Sequence, residues 1–351
     1  MAEEAVSQPL DPAAGDGLFA DLRQAGGLLL AVSGGPDSIA LLHLAAAWQR
    51  CGAAPPVAVA TVDHGLREEA RSEAHFVAEV AAGLGLPHAV LHWVGPKPST
   101  RLMERARDAR YDLLTAHAVQ IGATHLVTAH TLDDQAETIL FRLARGSGPS
   151  GLIGMRATMR RGRITHARPL LGVRKGRLVA TCRENGWRYV EDPTNRDPRF
   201  ARTRWRGLAP LLEAEGLTPE RLTRLAERLA RQETALDAMA REAEAAALRE
   251  AGAMGRIYDA AVLLRQPEEI LLRILVFAIE EIALTHDEPV RIRLERLESF
   301  GTDLRHALSA GVVFHRTLAG ALVSTRSPGV VSVKREPERQ RGRIGASAVL
   351  V

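Results

Sequence analysis

The chain has 351 residues, 46% of them hydrophobic and 25% charged, a composition typical of a globular protein with room for two domains. No apolar run reaches the roughly 20 residues of a membrane span, and the first residues lack the basic start and apolar core of a signal peptide. The two cysteines, Cys51 and Cys182, form no CxxC motif and no disulfide framework. We therefore expect a cytoplasmic protein without a membrane partner.

Basic side chains are concentrated in one part of the chain, although the net charge is only +4. No Asp or Glu occurs between Thr138 and Arg183, a stretch that carries eleven Arg and Lys. Five further arginines follow between Arg196 and Arg206, interrupted only by Asp197. A solvated surface normally mixes both signs of charge, so this distribution predicts a polyanionic partner, in particular a nucleic acid.

Strand-like and helical segments alternate over the first part of the chain, after a loose leader at 1–16 that is rich in Ala, Gly and Pro. Apolar runs predict strands at 28–32, 57–62, 88–94, 124–129 and 164–170. Amphipathic patterns predict helices at 37–49, 69–84, 101–120, 132–145 and 174–186. This alternation predicts an α/β fold with a doubly wound parallel sheet over residues 17–213, with ligands at the carboxyl ends of the strands.

The pattern changes after residue 212. Helical periodicity recurs over 217–248, 267–281 and 291–310, followed by a hairpin at 312–325 and a short strand at 330–334. These segments predict a second, smaller and mainly helical domain over residues 214–335 with a terminal hairpin. Residues 336–351 are predicted to be a disordered tail.

The first strand runs directly into the sequence Ser33-Gly34-Gly35-Pro36-Asp37-Ser38, which we call the phosphate turn. Adjacent glycines let backbone N–H groups approach a ligand closely, and the helix that follows adds the positive end of its dipole. The spacing differs from that of a Walker P-loop and from that of a dinucleotide-binding turn. The turn resembles the loop of ATP-splitting enzymes that release AMP and pyrophosphate.

Two further clusters lie where a nucleotide would extend from the phosphate turn. Asp63 and His64 follow the second strand, at the place of a base or ribose, although the pair alone also fits an ordinary turn. Arg107, Arg110 and Tyr111 share one face of a predicted helix, a face that is either solvated or suited to holding phosphate.

The helix after the fourth strand begins with a capping box from Thr131 to Asp134 and carries two neighbouring carboxylates. Asp134 and Glu137 are three residues apart and project from the face opposite the apolar stripe. Carboxylates side by side repel each other unless a cation lies between them. The pair therefore predicts a bound cation, either a metal ion or a substrate ammonium group.

Two segments combine turn residues with arginines. The glycine-rich turn 145–151, which begins at Arg145, is suited to following a nucleic-acid backbone closely. The segment 191–206 is either a linker or an RNA-facing loop, and its candidate contacts are Asn195, Arg202, Arg204 and Arg206.

Taken together and in this order, the motifs resemble those of the tRNA(Ile)-lysidine synthases, a family of the PP-loop ATPase superfamily. The resemblance covers roughly residues 28–206 and rests on Ser33–Ser38, Val62–Arg67, Ala109–Tyr111, Ala129–Thr138, Arg145–Gly148, Arg168–Leu171 and Asp192–Asn195. The first element marks the superfamily, whereas 129–138 and 145–148 are much more specific to this family. The chain departs from the family pattern at Phe200 and Thr203, where Tyr and Asn are usual.

The resemblance implies that ATP adenylates O2 of the wobble cytidine in the CAU anticodon of tRNA(Ile), and that free L-lysine then displaces AMP from C2 to give lysidine. The catalytic residues that it implies are Asp37, Arg110, His130, Asp134 and Glu137. ATP would contact Ser33, Gly34, Gly35, Pro36, Asp37, Ser38, Asp63, His64 and His130. Mg²⁺ would bind Asp37, and the lysine ammonium would bind Asp134 and Glu137. The second domain would bind tRNA, together with Arg145, Arg168, Asn195, Arg202, Arg204 and Arg206.

Two alternative functions stay open at this point. The tRNA thiolases of the same superfamily generally carry sulfur on paired cysteines or an iron–sulfur cluster, an arrangement that Cys51 and Cys182 do not match. A non-catalytic RNA- or nucleotide-binding protein of this fold would not require the acid pair Asp134 and Glu137. The sequence leaves the general base and the oligomeric state open, a homodimer included.

Overall fold

The computed structural model describes residues 8–12, 15–52, 54–66, 69–95, 97–98, 100–191, 201–252, 255–284, 292–325 and 329–337, with 201, 202 and 284 described in the backbone alone. The chain divides into two compact units. Unit 1 comprises Met1–Gly146 and Gly151–Glu227, and unit 2 comprises Ser147–Ser150 and Arg228–Val351. The border between the units lies within one long helix, Pro219–Ala247.

Unit 1 contains a six-stranded sheet. Its strands are β1 (Leu28–Ala31), β2 (Val57–Asp63), β3 (His88–His92), β4 (His125–Val127), β5 (Thr158–Arg161) and β6 (Ile164–Ala167). They lie in the order β3-β2-β1-β4-β6-β5, and all neighbours pair in parallel except β5, which is antiparallel to β6. The strand order reverses between β1 and β4, which creates the switch point where doubly wound sheets bind ligands.

Helices cover both faces of this sheet. In chain order, the helices of residues 15–247 are α1 (Gly15–Leu18), α2 (Pro36–Arg50), α3 (Glu69–Gly83), α4 (Leu102–Gln120), α5 (Leu132–Leu143), α6 (Pro149–Leu152), α7 (Lys175–Glu184), α8 (Ala201–Ala214) and α9 (Pro219–Ala247), with a 3₁₀ turn at Ala20–Leu22. Side chains of β1 alternate between the two layers. Leu28 and Leu30 pack in the core that contains α2, while Leu29 and Ala31 pack with α4.

Unit 2 combines an antiparallel sheet with helices. Its strands are β7 (Leu248–Gly252), β8 (Gly255–Asp259), β9 (His315–Leu318), β10 (Ala321–Ser324) and β11 (Val330–Arg335), in the order β7-β8-β11-β10-β9. Its helices are α10 (Ala260–Leu264), α11 (Glu268–Leu284) and α12 (Leu294–Ala310). Its core contains Tyr258, Leu271, Leu304 and Val333, each buried and contributed by a different element.

The predicted α/β class with a parallel sheet is confirmed, and all five predicted strands of the sheet are present. Strands β5, β7 and β8 were not predicted. Residues 201–206 are helical where a linker or loop was predicted, and the predicted C-terminal hairpin forms part of a five-stranded sheet.

The predicted leader and tail lie largely outside the described residues, which begin at residue 8 and end at residue 337. Among the helices in the described ranges, none is long and apolar enough to span a membrane.

Candidate active site

The phosphate turn connects β1 to α2 at the carboxyl edge of the sheet. Gly34 has a φ of +88°, a backbone conformation that L side chains rarely adopt, so the turn requires glycine there. Gly35 is the N-cap of α2 and Pro36 follows in the first turn, where its missing N–H costs nothing. No side chain caps α2. The orphan N–H groups of its first turn are therefore available to an anion.

Asp37, in this first turn, forms an ion pair with Lys175 at the start of α7, with 2.7 Å between Oδ2 and Nζ. The backbone N–H of Lys175 donates to Asp133 at 2.6 Å, which fixes the start of α7 against α5. Burial raises the pKa of Asp37, and the charge of Lys175 opposes this rise. The second carboxylate oxygen, Oδ1, is buried and has no hydrogen-bond partner among the described residues.

A magnesium ion fits Asp37. Mg²⁺ in nucleotide sites is held by one or two carboxylates together with substrate phosphates. Within the described part of the chain, no cluster of three or more His, Cys, Asp or Glu could hold a metal ion without such phosphates. Asp37 Oδ1 is therefore the candidate protein ligand.

The end of β2 contributes Asp63 and His64. Asp63 accepts a hydrogen bond from the backbone N–H of Gly65 at 2.8 Å, which shapes the turn, and lies 3.4 Å from a ring nitrogen of His92. Burial and the positive charge of Arg110 lower the pKa of His64, so the imidazole is neutral at pH 7.

His130 lies between β4 and α5, and the Thr128 side chain connects it to His166. Its Nδ1 lies 2.7 Å from the Thr128 hydroxyl, which lies 2.8 Å from Nε2 of His166 on β6. Burial lowers the pKa of His130 to about 4 and that of His166 to about 3. The positive charge of Arg110 also contributes to lowering the pKa of His130.

The acid pair on α5 holds a cation. The Nε of Arg206, on α8, donates to Glu137 at 2.6 Å, and its Nη2 lies 3.8 Å from Asp134 Oδ1. The other oxygen of Asp134 accepts from the backbone N–H and the hydroxyl of Thr131, so the predicted capping box is present. Lys175 connects α5 to the phosphate turn, because its backbone N–H donates to Asp133 on α5 and its Nζ pairs with Asp37. The start of α5, which carries the acid pair, therefore lies close to the phosphate turn.

Two of the predicted RNA contacts, Arg168 and Arg206, have partners within the chain. Arg168 is buried, and its guanidinium donates to the backbone carbonyl of Arg156 at 2.7 Å and to His166 at 3.1 Å. Arg206 is engaged with the acid pair. Arg168 is therefore held by partners within the fold, whereas the side chain of Arg206 is 36% exposed and pairs with the acids of α5. Contact of either residue with RNA stays a prediction.

The remaining predicted RNA contacts differ in exposure. Arg145 and Arg204 are exposed. The side chain of Arg202 and the whole of Asn195 lie outside the described residues. In the turn after Arg145, a Cβ at Gly148 would lie 2.6 Å from Leu294, so packing within unit 2 gives one reason for that glycine.

Three residues of the site were not predicted from the sequence: Lys175, Thr128 and His166. Lys175 appeared only as one of many basic residues, and its contact with Asp37 joins positions 138 residues apart. Thr128 and His166 lie at neighbouring strands, β4 and β6, and this proximity depends on sheet order. For Thr128, the position near the carboxyl end of a predicted strand was the feature that could have indicated a site residue.

The family model of the PP-loop domain matches residues 7–212. The chain is 52% identical over 322 residues to the tRNA(Ile)-lysidine synthase of Methylobacterium nodulans, covering 91% of this chain and 93% of that protein. It is 44% identical over 353 residues to the tRNA(Ile)-lysidine synthase of a Bradyrhizobium species, covering 95% and 97%. The chain belongs to the tRNA(Ile)-lysidine synthase family. The phosphate turn and the acid pair thus lie within a synthase-family domain.

A likeness among solved structures supports the fold of the synthase domain. The U34-tRNA thiolase NcsA from Methanococcus maripaludis, solved with its [4Fe-4S] cluster, matches with a TM-score of 0.52 and 16% sequence identity. The match covers 62% of this chain and 77% of that one. At this identity the likeness shows a common fold alone.

Proposed function

We propose that this chain joins L-lysine to C2 of the wobble cytidine in the CAU anticodon of tRNA(Ile), with conversion of ATP to AMP and pyrophosphate. The observation that carries the proposal is the acid pair Asp134 and Glu137, which binds a cationic side chain beside the phosphate turn. An ATP-splitting turn next to a site for a cationic amine is what lysine transfer to an activated base requires.

In the first step, O2 of the cytidine attacks the α-phosphorus of ATP and pyrophosphate leaves. The orphan N–H groups at the start of α2 are oriented to bind the developing charge on the pyrophosphate. Lys175, 2.7 Å from Asp37, supplies a cation at the same place. Mg²⁺, when bound, would neutralise phosphate charge, with Asp37 as its protein ligand.

In the second step, the ε-amine of lysine attacks C2, the C2–O bond breaks and AMP leaves. Glu137 and Asp134 would hold the lysine ammonium where Arg206 lies in this structure. The entering ammonium must therefore displace the guanidinium of Arg206, because both cations need the same carboxylate oxygens. A carboxylate of the site is the candidate acceptor for the proton that the amine loses.

The cysteines give little support to a thiolase. Cys182 is buried, its thiol lies 3.5 Å from the backbone carbonyl of Pro36, and burial raises its pKa to about 11. A sulfur carrier needs a thiolate, which is scarce at neutral pH with such a pKa. Cys51 is exposed at the end of α2, the opposite end of that helix from the phosphate turn.

The partners and setting follow from the proposed reaction. They are tRNA(Ile) and free L-lysine, with ATP and Mg²⁺, in the cytoplasm, where these substrates occur. The exposed Arg145 and Arg204 remain candidate RNA contacts. The second unit and the basic stretch 156–206 are proposed to distinguish this tRNA from tRNA(Met), which has the same anticodon letters.

The proposal is tested by incubating the protein with ATP, Mg²⁺, labelled lysine and an unmodified tRNA(Ile) transcript. We expect label in the tRNA, and a loss of on the order of 10²-fold or more in Glu137→Gln and Asp37→Asn. Glu184→Gln, which changes an exposed carboxylate on α7, is the matched control and should keep full activity. Absence of label with the unaltered protein would overturn the proposed function, and full activity of both site variants would overturn the site.

A further inference from the structure

Three buried polar side chains form a continuous hydrogen-bonded row that ends at His130. Arg168 is 7% exposed, His166 1% and Thr128 2%. Arg168 Nη2 lies 3.1 Å from His166 Nδ1, His166 Nε2 lies 2.8 Å from Thr128 Oγ1, and this oxygen lies 2.7 Å from His130 Nδ1. The row crosses from β6 to β4 beneath the carboxyl edge of the sheet.

Chemistry fixes the direction of each hydrogen bond. A guanidinium can only donate, so Nδ1 of His166 accepts and its single ring proton is on Nε2. That Nε2–H donates to the Thr128 hydroxyl, whose own proton is then directed to the remaining neighbour, His130 Nδ1. The opposite direction would leave the buried hydroxyl proton without an acceptor, which is costly.

We propose that Arg168, His166 and Thr128 are positioning residues that hold His130 in the tautomer protonated on Nε2. His130 then presents an N–H donor to the nucleotide, and its chemical partner is an acceptor such as a phosphoryl oxygen. Burial keeps the pKa of both histidines far below neutrality, in agreement with a neutral ring. The use of this donor rests on the proposed function.

This arrangement restricts the acid–base chemistry. The Nδ1 lone pair of His130 is occupied by the Thr128 proton, and Nε2 already carries hydrogen. His130 therefore has no nitrogen available to accept a proton from the lysine amine. The proton goes to a carboxylate or to water, and His130 contributes by hydrogen bonding alone.

The test measures the tautomer of His130 by long-range ¹⁵N–¹H NMR correlation in the intact, ¹⁵N-histidine-labelled protein, with His130→Gln to assign the signal. We expect hydrogen on Nε2 in the unaltered protein. Thr128→Val keeps the branched shape of the side chain but removes the hydroxyl, and should bring in the Nδ1–H tautomer. Thr128→Ser retains the hydroxyl and should restore the original tautomer.

Activity measured on the same variants tests the consequence. Thr128→Val should lower the rate of tRNA-dependent pyrophosphate release at least tenfold with the KM for lysine unchanged, and Thr128→Ser should retain the rate. Hydrogen on Nδ1 in the unaltered protein, or an unchanged tautomer in Thr128→Val, would overturn the positioning role. A changed tautomer with an unchanged rate would overturn the use of the donor. The NMR result is independent of the ligase assay, so failure of the proposed function alone would be recognised.

Discussion

At the scale of single residues, charge compensation organises the site. Lys175 compensates one oxygen of Asp37, and Arg206 compensates Glu137 and the free side of Asp134. Partly buried carboxylates need such partners, because their charge is otherwise poorly solvated. The ligands proposed for these carboxylates, Mg²⁺ and the lysine ammonium, are cations as well.

Replacing Lys175 should change the pH dependence of the reaction. Burial raises the pKa of Asp37 and Lys175 opposes that effect, so Lys175→Met should raise this pKa further. Because ionised Asp37 is the proposed Mg²⁺ ligand, the acid limb of the pH profile for pyrophosphate release should move to higher pH. We expect kcat to fall by roughly 10²-fold. Lys175→Arg keeps the charge and should retain the acid limb, whereas an unmoved limb in Lys175→Met would contradict the coupling.

Replacing Arg206 should strengthen lysine binding. Its side chain is 36% exposed, so its ion pairs contribute at most about 1 kcal/mol, and their loss should tighten the Kd for lysine by roughly 2- to 5-fold. Calorimetric titration of lysine into Arg206→Gln measures this effect, with Arg204→Gln on the same helix as control. Weaker binding in Arg206→Gln would show instead that the guanidinium contacts the substrate.

At the scale of elements, strands and helices could be predicted where the segment itself has an apolar pattern or a capping motif. Strand β1 is apolar on both faces, and α5 has both a capping box and an apolar stripe. Strands β5 and β7, with the sequences TMRR and LREAG, lack apolar alternation. Only their pairing with β6 and β8 in the structure identifies them as strands. Helix α8 contains Pro210, an unfavourable helix residue, and is held by ion pairs to distant residues.

The ion pairs of α8 illustrate why its contribution to the site could not be predicted. Glu213 pairs with Arg174, 39 residues away, at 3.0 Å, and Arg206 pairs with Glu137, 69 residues away. Neither pair leaves a periodic pattern in the sequence. By contrast, the phosphate turn and the acid pair are local motifs, and both were predicted from their own spacing.

The hairpin of β5 and β6 is the element that we expect to contact tRNA phosphates. Arg156, Arg160 and Arg163 are exposed on or beside it, and none forms an ion pair with any residue that the structure describes. The double variant Arg160→Ala/Arg163→Ala should weaken tRNA binding and reduce the slope of log K against log salt by about 1 per arginine.

The control for this experiment is Arg50→Ala, which removes an exposed arginine from the end of α2, outside the basic stretch. Its affinity and salt slope should equal those of the unaltered protein. Equal salt slopes for the double variant and the unaltered protein would exclude the hairpin from the RNA contact.

At the scale of the whole molecule, stability should depend on pH through histidines of unit 1 that are neutral and buried or half-buried. Burial lowers the pKa of His43, His130 and His166 to about 4, 4 and 3, from an ordinary value of 6.5. The unfolded chain therefore binds more protons between these limits, and stability falls as the pH falls through that window. Between pH 7.5 and 5.5 each histidine should remove about 1 kcal/mol from the free energy of unfolding.

Urea denaturation followed by tryptophan fluorescence measures this dependence, because Trp48, Trp93, Trp187 and Trp205 all belong to unit 1. His43 stacks on Trp187 with the rings 4.2 Å apart and nearly parallel, so His43→Phe keeps an aromatic contact without a titrating group. This variant should lose about 1 kcal/mol of the pH dependence. An undiminished pH dependence in His43→Phe would contradict the burial argument.

The proposed functions are divided between the two units. The phosphate turn, the ends of β2 and β4, and the acid pair all lie in unit 1, which thus contains the proposed sites for ATP, Mg²⁺ and lysine. The proposed contribution of unit 2 is to tRNA selection.

The proposed reaction of unit 1 is formation of a carbon–nitrogen bond at the wobble cytidine of tRNA(Ile). The most direct measurement is mass spectrometry of the nucleosides from a tRNA(Ile) transcript after reaction with ATP, Mg²⁺ and lysine. We predict lysidine in place of that cytidine, no change in a tRNA(Met) transcript, and no product when lysine is omitted. An unmodified cytidine, or a sulfur-containing nucleoside in its place when a sulfur donor is supplied, would contradict the proposed function.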